Sequence, residues 1–426
     1  MIRPVVGTIA SRVFIVVMNL LVIVAAGRAL GAAGLGAISL LVLGITFILV
    51  LNNVVGGGGI VYLLPRHGAP ALRWPAYAWA LITTAVARMV LQYFPLVTVG
   101  LADHVVALAL LQAFIGIHLG ILLGRERIGT QNALLVFQAA ALLVIFAVLL
   151  RNGTADVMDY VHAAYIAHGA TAVLSAIASI SPKADRRIAH RAAGAFSGHP
   201  VVDLFRQGAI AQAANGLQLL NYRLAYYLIQ RFIGTAAVGL YSVTSQLAES
   251  TWLVPKSLGL VLYARMSNTE GMERQRDLTL AVLKVALGVA LLFTIVLVLL
   301  PDAVYQFFFG PEVTGISFLV LLLAPGLLAM SASQALSHFL SGTGRVWHNA
   351  IGSGLGAVAT LVLGFLLIPR YGLPGAAITA SIAYCASTIY QIAVFHRLTG
   401  ARLRHFLPNA ADVDRLRTLW NRLVGR

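Results

Sequence analysis

The chain has 426 residues, of which 59% are hydrophobic and only 10% are charged. A soluble globular protein usually has about 25% charged residues, so this composition excludes an ordinary soluble domain. It predicts an all-α polytopic membrane protein. The net charge of +16 would suggest a nucleic-acid partner in a soluble chain, but here the positions of the charges decide its meaning. The single cysteine, Cys385, excludes an intrachain disulfide.

A membrane-spanning helix needs roughly 20 mostly apolar residues. Twelve such runs, which we number span 1 to span 12, follow one another in this sequence. They lie near 8–28, 36–63, 75–99, 104–124, 131–150, 158–180, 204–230, 237–263, 278–300, 314–340, 348–369 and 374–396. The longest connection falls near the middle of the chain. The resulting prediction is an N-terminal half (1–180), a cytoplasmic linker (181–203), a C-terminal half (204–397) and a basic tail (398–426).

Lysine and arginine are concentrated in alternate connections. One set of connections holds 21 of them, and the other set holds only four, namely Arg28, Arg151, Arg231 and Arg370. Because cytoplasmic loops carry the excess of Lys and Arg, both termini are predicted to be cytoplasmic. Most of the positive charge is therefore a topology signal, and we expect no nucleic-acid partner.

The two halves resemble each other in sequence. RALGAAGLGAIS begins at Arg28 and RFIGTAAVGLYS begins at Arg231. At an offset of 203 residues, five pairs are identical: Arg28 and Arg231, Gly31 and Gly234, Ala33 and Ala236, Gly36 and Gly239, Ser39 and Ser242. Two six-helix repeats in the same orientation imply a pseudo-two-fold axis along the membrane normal, which is a transporter architecture with the substrate path between the halves. We therefore predict twelve transmembrane helices in two repeats around a central cavity.

Span 7 contains an arginine in the middle of the apolar stretch LQLLNYRLAYYLIQ, residues 217–230. Exposing this residue, Arg223, to lipid would cost about 2.5–3.5 kcal/mol on insertion scales. Asn215, Tyr222 and Tyr226 recur at helical spacing beside it and form a polar stripe. We expect Arg223 either to pair inside the bundle or to face a wet cavity.

Span 8 carries Glu249, Trp252 and Lys256 at positions i, i+3 and i+7, on one helix face, with Pro255 expected to kink the helix. Glu249 is the only acidic residue well inside any apolar run. It is a candidate for proton or sodium coupling, and an ion pair with Arg223 or Lys256 explains it equally well.

Further polar residues complete the predicted substrate-binding set. Arg88 in span 3 is interpreted as a third buried base, whereas Arg12 is also placed to snorkel to the interface. A cationic interior surrounded by amides and tyrosines suits an anionic substrate with hydroxyl groups, such as a sugar phosphate. The histidines of the spans are interpreted as interfacial or packing residues, and we expect no metal or cofactor. The predicted set is Arg223, Arg88, Lys256, Tyr222, Tyr226, Asn215, Asn19, Asn52, Asn53 and Arg12.

Residues 221–267 carry the motifs NYR with nearby aromatics, VGLYS, LAE and WLVP, and RYGLPGAA begins at Arg370. This pattern resembles the bacterial polysaccharide flippases of the Wzx type, which belong to the multidrug/oligosaccharidyl-lipid/polysaccharide exporter superfamily. One departure is visible, because relatives often carry an acidic residue at the position of Ala225. The local pairing of Arg223 that such relatives have available is therefore missing here.

The resemblance implies alternating access without covalent chemistry, so the protein is not expected to be an enzyme. It implies a polyprenyl-pyrophosphate-linked oligosaccharide as the substrate, with membrane lipids and polysaccharide assembly proteins as partners. A flippase for the lipid-linked peptidoglycan precursor remains an alternative. A drug/cation antiporter of the same superfamily is a second alternative; it predicts acidic residues deep in the N-terminal half, and spans 1–6 contain none in mid-membrane. A glycan polymerase or ligase would need a large outer loop, which this sequence does not have between its spans.

The tail is predicted to lie on the membrane surface. Val413, Leu416, Trp420 and Leu423 fall at helical spacing between basic residues, which is typical of an interfacial amphipathic helix. We expect a peptide of residues 408–426 to gain helical circular dichroism, and its tryptophan emission to shift to the blue, with anionic vesicles and not with zwitterionic ones. The same peptide with Leu416 and Leu423 replaced by Asp should respond to neither. A peptide that stays disordered on anionic vesicles would rule the helix out.

Overall fold

The computed structural model describes residues 2–94, 96–98, 100–152, 155–180, 199–266 and 271–406. Most of the predicted linker and the amphipathic part of the predicted tail lie outside these residues.

The described residues form thirteen α-helices and two short 3-10 turns, Asn53–Val55 and Leu403–Phe406. The helices are α1 Ile2–Asn52, α2 Gly57–His67, α3 Ala69–Tyr93, α4 Ala102–Gly124, α5 Ile128–Asn152, α6 Val157–Ser179, α7 Pro200–Phe232, α8 Thr235–Ser250, α9 Leu253–Met266, α10 Met272–Leu299, α11 Asp302–Phe309, α12 Ile316–Gly342 and α13 Trp347–Thr399.

These helices account for all twelve predicted spans. Helix α1 contains span 1 and the first part of span 2, on either side of Gly31, and α2 contains the rest of span 2. Helix α13 contains spans 11 and 12 on either side of Gly372. Both glycines have positive φ (66° and 62°), a conformation that glycine adopts without steric cost. Span 8 is divided between α8 and α9, and Pro255 lies in the first turn of α9, where a missing N–H costs nothing. The expected kink is therefore present as a break just before the proline.

Seven stretches of the described chain are long and apolar enough to cross a membrane by length and composition. Two of them, Ala10–His67 and Trp347–Thr399, each contain a pair of spans. Spans 3 and 7 are not among the seven because they are less apolar, and span 8 is not because it is divided into helices of 16 and 14 residues, each too short to qualify. These three spans carry Arg88, Arg223 and Glu249. Polar residues thus concentrate in three helices of an otherwise apolar protein.

The chain divides into two compact units. Unit 1 comprises Met1–Gly216, Ile233–Ser242 and Ala303–Thr314, and unit 2 comprises Leu217–Phe232, Val243–Asp302 and Gly315–Arg426. Helix α7 contributes residues to both units.

Within unit 1, α1 and α8 cross at a pair of glycines. A Cβ atom at Gly36 would overlap the carbonyl oxygen of Thr235, and a Cβ atom at Gly239 would overlap the carbonyl oxygen of Ala32. Each glycine therefore packs against the backbone one helical turn before the other glycine. Ala32 and Thr235 are also 203 residues apart, which is the offset between the two repeats. Equivalent residues of the two repeats therefore form the two halves of this contact. Small residues allow backbones to approach this closely in membranes.

A carboxylate completes the bend at Gly31. Glu312, which follows α11, accepts a hydrogen bond from the backbone N–H of Ala32 at 2.7 Å. Ala32 lies at the start of the second segment of α1, where backbone N–H groups have no carbonyl acceptor within the helix. Arg28 lies 5.5 Å from the centroid of the Phe307 ring, measured from Cζ. The turn between spans 1 and 2 is therefore held by side chains from the turn between spans 9 and 10.

Unit 2 has its own core between α12 and α13. Phe339 and Phe395 meet edge to face with ring centroids 4.9 Å apart. A polar seam crosses the same interface, because the Ser333 hydroxyl donates to Gln391 Oε1 at 2.6 Å and Gln391 Nε2 donates to Asn349 Oδ1 at 3.2 Å. Such interhelical bonds satisfy polar side chains where water is absent.

The glycine crossing makes a stability prediction. Gly36→Ala and Gly239→Ala should each lower the thermal unfolding midpoint of the purified protein in detergent, because overpacking against backbone costs about 1–3 kcal/mol. The matched control is Gly288→Ala in α10, where a Cβ atom meets nothing within 4 Å. There alanine should be neutral or stabilising, since it favours helix by about 0.8–1.0 kcal/mol over glycine. Equal midpoints for Gly36→Ala and Gly288→Ala would contradict the crossing.

Candidate functional site

Several predicted site residues come together in unit 2. We call this group the Arg223 cluster, and it has contributions from α7, α8, α9 and α13. Its members are Tyr222, Arg223, Tyr226, Glu249, Trp252, Lys256 and Tyr384.

The centre of the cluster is a bidentate ion pair. Arg223 Nη1 lies 2.5 Å from Glu249 Oε1, and Nη2 donates to Oε2 at 2.8 Å. The two side chains are 22% and 20% exposed. Two parallel charge-assisted hydrogen bonds fix the orientation of both groups. The ion pair that was one of the two explanations of Glu249 is therefore present. Position 225 is an alanine, and the acidic partner of Arg223 is instead Glu249 in α8.

Tyr226 contacts the guanidinium of Arg223 on another side. Arg223 Nη1 donates to the Tyr226 hydroxyl at 3.4 Å, and Arg223 Cζ lies 5.3 Å from the centroid of the Tyr226 ring. Tyr226 is buried. One member of the polar stripe of span 7, Tyr226, is thus buried within the protein, where it contacts Arg223.

Three aromatic rings form the other part of the cluster. Trp252 lies 5.8 Å from Tyr222 and 5.8 Å from Tyr384, and the two tyrosine rings are 5.7 Å apart. Trp252 is only 1% exposed, and its indole N–H donates to the carbonyl of Leu327 at 3.1 Å. The tryptophan is therefore a fixed support, and Tyr222 is the half-buried ring that it positions.

Two polar groups extend the cluster. Lys256 is exposed, and its Nζ lies 5.7 Å from the centroid of the Trp252 ring. Gln218, one turn before Tyr222, donates to the tyrosine hydroxyl at 3.2 Å. Among the described residues, Lys256 has no acidic partner, so the ionisable groups of the cluster sum to one positive charge. This arrangement offers a cation for phosphate and hydroxyl and amide groups for a sugar.

Arg88 is not the buried base that the sequence suggested. Its side chain is 50% exposed and its Nε lies 2.9 Å from Asp103 Oδ1 in the first turn of α4. Helix α3 ends at Tyr93, so Arg88 is close enough to the helix end to extend toward the interface. The expectation that Arg88 is buried is therefore wrong, and its assignment to the substrate-binding set stays a prediction.

The remaining predicted residues belong to unit 1. Arg12 and Asn19 are exposed on α1, and Asn53 is half-buried in the 3-10 turn after α1. Asn52 is buried and its Oδ1 accepts a hydrogen bond from the Thr83 hydroxyl. Asn215 is exposed. Its side-chain amide donates to Gln212 Oε1 at 3.3 Å.

Sequence reasoning missed several residues that the structure makes prominent. Tyr384 looked like one more apolar residue of span 12. His118 and His168 are neither interfacial nor simple packing residues, because both are buried in hydrogen-bonded groups within unit 1. His118 bonds the Tyr77 hydroxyl and lies 2.9 Å from Ser175 Oγ. His168 lies between the side-chain amides of Gln112 and Gln138, at 3.1 and 2.8 Å. The signal was the recurrence of His168, Thr171, Ser175 and Ser179 on one face of span 6.

The fold is shared with solved transporters. An inward-facing multidrug resistance transporter of the MATE family, in the MOP superfamily, is 16% identical in sequence and superposes with a TM-score of 0.73. The match covers 90% of this chain and 95% of the transporter chain. The lipid II flippase MurJ, in an inward closed conformation, is 14% identical with a TM-score of 0.68, covering 99% and 92%. At this identity the likeness establishes the fold, that of twelve-helix membrane transporters.

Two curated proteins match part of the sequence. The capsular polysaccharide biosynthesis protein CapF of Staphylococcus aureus is 22% identical over 188 residues, which is 43% of this chain and 48% of CapF. An uncharacterised membrane protein of Methanocaldococcus jannaschii is 25% identical over 207 residues, or 48% of this chain and 41% of that protein. The chain thus matches less than half the length of either relative. No family model matches the sequence.

The ion pair makes a prediction about coupling. Arg223→Gln or Glu249→Gln alone leaves one charge of the pair without its partner, which costs about 3–5 kcal/mol where the pair is buried and less at one-fifth exposure. We expect each single variant to lower the thermal unfolding midpoint, and the double variant to lower it less than the two effects added together. The measurement is a double-mutant cycle on the purified protein. Strictly additive shifts would show that the two side chains do not interact.

Proposed function

We propose that this protein is a flippase for a polyprenyl-pyrophosphate-linked oligosaccharide, which it moves from the cytoplasmic to the outer leaflet of a bacterial inner membrane. The observation that carries the proposal is the Arg223 cluster, a net cationic and aromatic site within a transporter fold. A pyrophosphate-linked sugar presents an anion and hydroxyl groups together, and the cluster offers partners for both. The likeness to CapF, named as a capsular polysaccharide biosynthesis protein, supports the same class of substrate.

The cluster suggests how the anion would be bound. Glu249 already accepts hydrogen bonds from both Nη atoms of Arg223, so the first attraction for an incoming pyrophosphate would come from Lys256. The anion then competes with Glu249 for the guanidinium, whose planar donors match phosphate oxygens. Neutralising Glu249 with a proton or another cation would favour that exchange, which is how Glu249 would couple transport to an ion gradient. Tyr222 and Gln218 would bond sugar hydroxyls.

Transport itself would follow alternating access. The lipid chain would stay in the bilayer while the head group passes through the protein, and no covalent bond would change. The two repeats would rock about the site, as expected of a transporter built from duplicated halves. The protein would therefore not be an enzyme, and its termini would lie on the cytoplasmic side.

Two alternatives have specific support. A flippase for the lipid-linked peptidoglycan precursor is suggested by the likeness to MurJ, and its substrate has the same pyrophosphate chemistry. A drug/cation antiporter is suggested by the likeness to MATE transporters. Against the antiporter, the acidic residues of the described part of spans 1–6 all lie at helix ends or between helices: Asp103, Glu126, Asp156 and Asp159.

Deletion of the gene separates these functions. We expect a lipid-linked oligosaccharide to accumulate on its carrier while one surface glycan disappears. Loss of peptidoglycan synthesis with lysis would favour the precursor flippase, and sensitivity to cationic drugs with a normal glycan would favour the antiporter.

Substitution of Arg223 tests the site in the complemented deletion strain. Arg223→Ala should reduce glycan export at least about tenfold, because a charge-assisted contact to the anion is worth roughly 1.5–3 kcal/mol. Arg223→Lys should be intermediate, since lysine keeps the charge but loses the bidentate geometry. The control is Arg397→Ala at the exposed end of α13, which should export normally at the same protein level. Export at the parental rate by Arg223→Ala would refute the assignment.

A further inference from the structure

Unit 1 has an apolar groove between the N-terminal parts of α3 and α7. Its volume is about 760 Å³, within the range of small-molecule sites. The lining is apolar except for one arginine, and its main members are Trp74, Ala78, Trp79, Ile82, Phe205 and Arg206.

The groove exists because span 2 is interrupted beside it. The chain turns through Asn53–Val55 between α1 and α2, and Val55, which is buried, lies at the groove. Gly208 lies so close to the carbonyl of Val54 that a Cβ atom there would overlap it. Helix α7 therefore approaches this turn closely on one side, and the space toward α3 is left open.

The walls of the groove are fixed by their own contacts. The Trp79 indole N–H donates to the carbonyl of Leu51 at 2.8 Å. The Trp79 ring meets the Phe205 ring nearly at right angles, with centroids 5.8 Å apart. Because these rings are already held, a ligand would not have to order them, which lowers the cost of binding.

The position of the groove limits what can occupy it. Trp74 and Arg206 are the sixth and seventh residues of α3 and α7, so both lie within about 10 Å of the helix starts at 1.5 Å per residue. Both starts are predicted to be cytoplasmic. Trp74, Ile82 and Phe205 are exposed large apolar side chains, so the groove opens outward toward surrounding lipid. An apolar chain in the cytoplasmic leaflet would therefore be able to enter the groove.

Arg206 adds a requirement for charge. Its side chain is exposed, and within the described part of the chain it has no ion pair or hydrogen bond. An arginine at the rim of an apolar groove fits an amphiphile with a phosphate-type head, because its planar fork can donate two hydrogen bonds to phosphate oxygens.

We propose that this groove holds the isoprenoid chain of the lipid-linked substrate, with its pyrophosphate at Arg206, before the head group moves to the Arg223 cluster. The inference rests on the proposed function and adds a cytoplasmic-leaflet loading site to it. Rigid aromatic walls suit a branched, unsaturated chain, whose methyl groups and double bonds can pack against ring faces.

The test uses the full-length protein in nanodiscs of phosphatidylethanolamine and phosphatidylglycerol. The probe is a farnesyl pyrophosphate analogue that carries a diazirine on its chain, and labelled peptides are mapped by mass spectrometry. We expect labels within residues 74–82 and 201–206, competed by unlabelled farnesyl pyrophosphate but not by farnesol or inorganic pyrophosphate at the same concentration.

Variants make the assignment specific. Ala78→Phe places a ring in the groove and should reduce labelling there about tenfold, the effect of losing roughly two buried methylene contacts. Arg206→Ala should remove the preference for the pyrophosphate over the alcohol, with Arg397→Ala as its control. Phe205→Ala should weaken labelling, and Phe293→Ala, an equally exposed phenylalanine on α10, should not (47% and 48% exposed).

Two results would overturn the inference. One is equal labelling of the groove by a diazirine phosphatidylglycerol with equal competition by farnesol, which would mark an ordinary lipid contact. The other is labelling outside the groove that Ala78→Phe leaves unchanged. Flipping of a lipid-linked oligosaccharide in proteoliposomes is measured in parallel. If Arg223-dependent flipping is present without groove labelling, only the loading site is wrong; if flipping is absent, the proposed function fails.

Discussion

The hydrocarbon core of a membrane offers no water to an unpaired charge, and the Arg223–Glu249 pair is where this chain meets that constraint most directly. Each charge alone would be expensive at this depth, and the bidentate contact makes both tolerable. The pair also connects α7 to α8. A polar site within apolar spans depends on this neutralisation.

The same constraint governs the backbone. A chain that bends inside or at the edge of a bilayer leaves peptide groups without partners, so bends are placed at glycines and then satisfied from elsewhere. At Gly31 the exposed helix start receives the carboxylate of Glu312. The nearby crossing of Gly36 and Gly239 depends on this bend, because α1 must turn before it can approach α8 at backbone contact.

Runs of mostly apolar residues predicted the positions of the twelve spans, because helix formation within a bilayer depends on local composition, although spans 3, 7 and 8 are interrupted by polar residues or by a break. Contacts between spans were harder. The Arg223–Glu249 pair could be anticipated only as one option, since the partners are 26 residues apart in different helices. Arg88 was misjudged because Asp103 approaches it across a turn, and nothing in span 3 alone reveals that partner. His118 and His168 depend on how three helices pack, a property that no single amphipathic pattern encodes.

The charge of the Arg223 cluster has a consequence for selectivity. Because Glu249 neutralises Arg223, the net charge of the Arg223 cluster is that of Lys256, which has no acidic partner among the described residues. An organic cation approaching this surface meets a like charge and a carboxylate already engaged by two hydrogen bonds. In the proposed mechanism, an anion would be attracted by Lys256 and would then exchange for Glu249 at the guanidinium. The site would then discriminate by the sign of the charge first and by the planar fork of arginine second, and this order would favour phosphate-bearing substrates over cations.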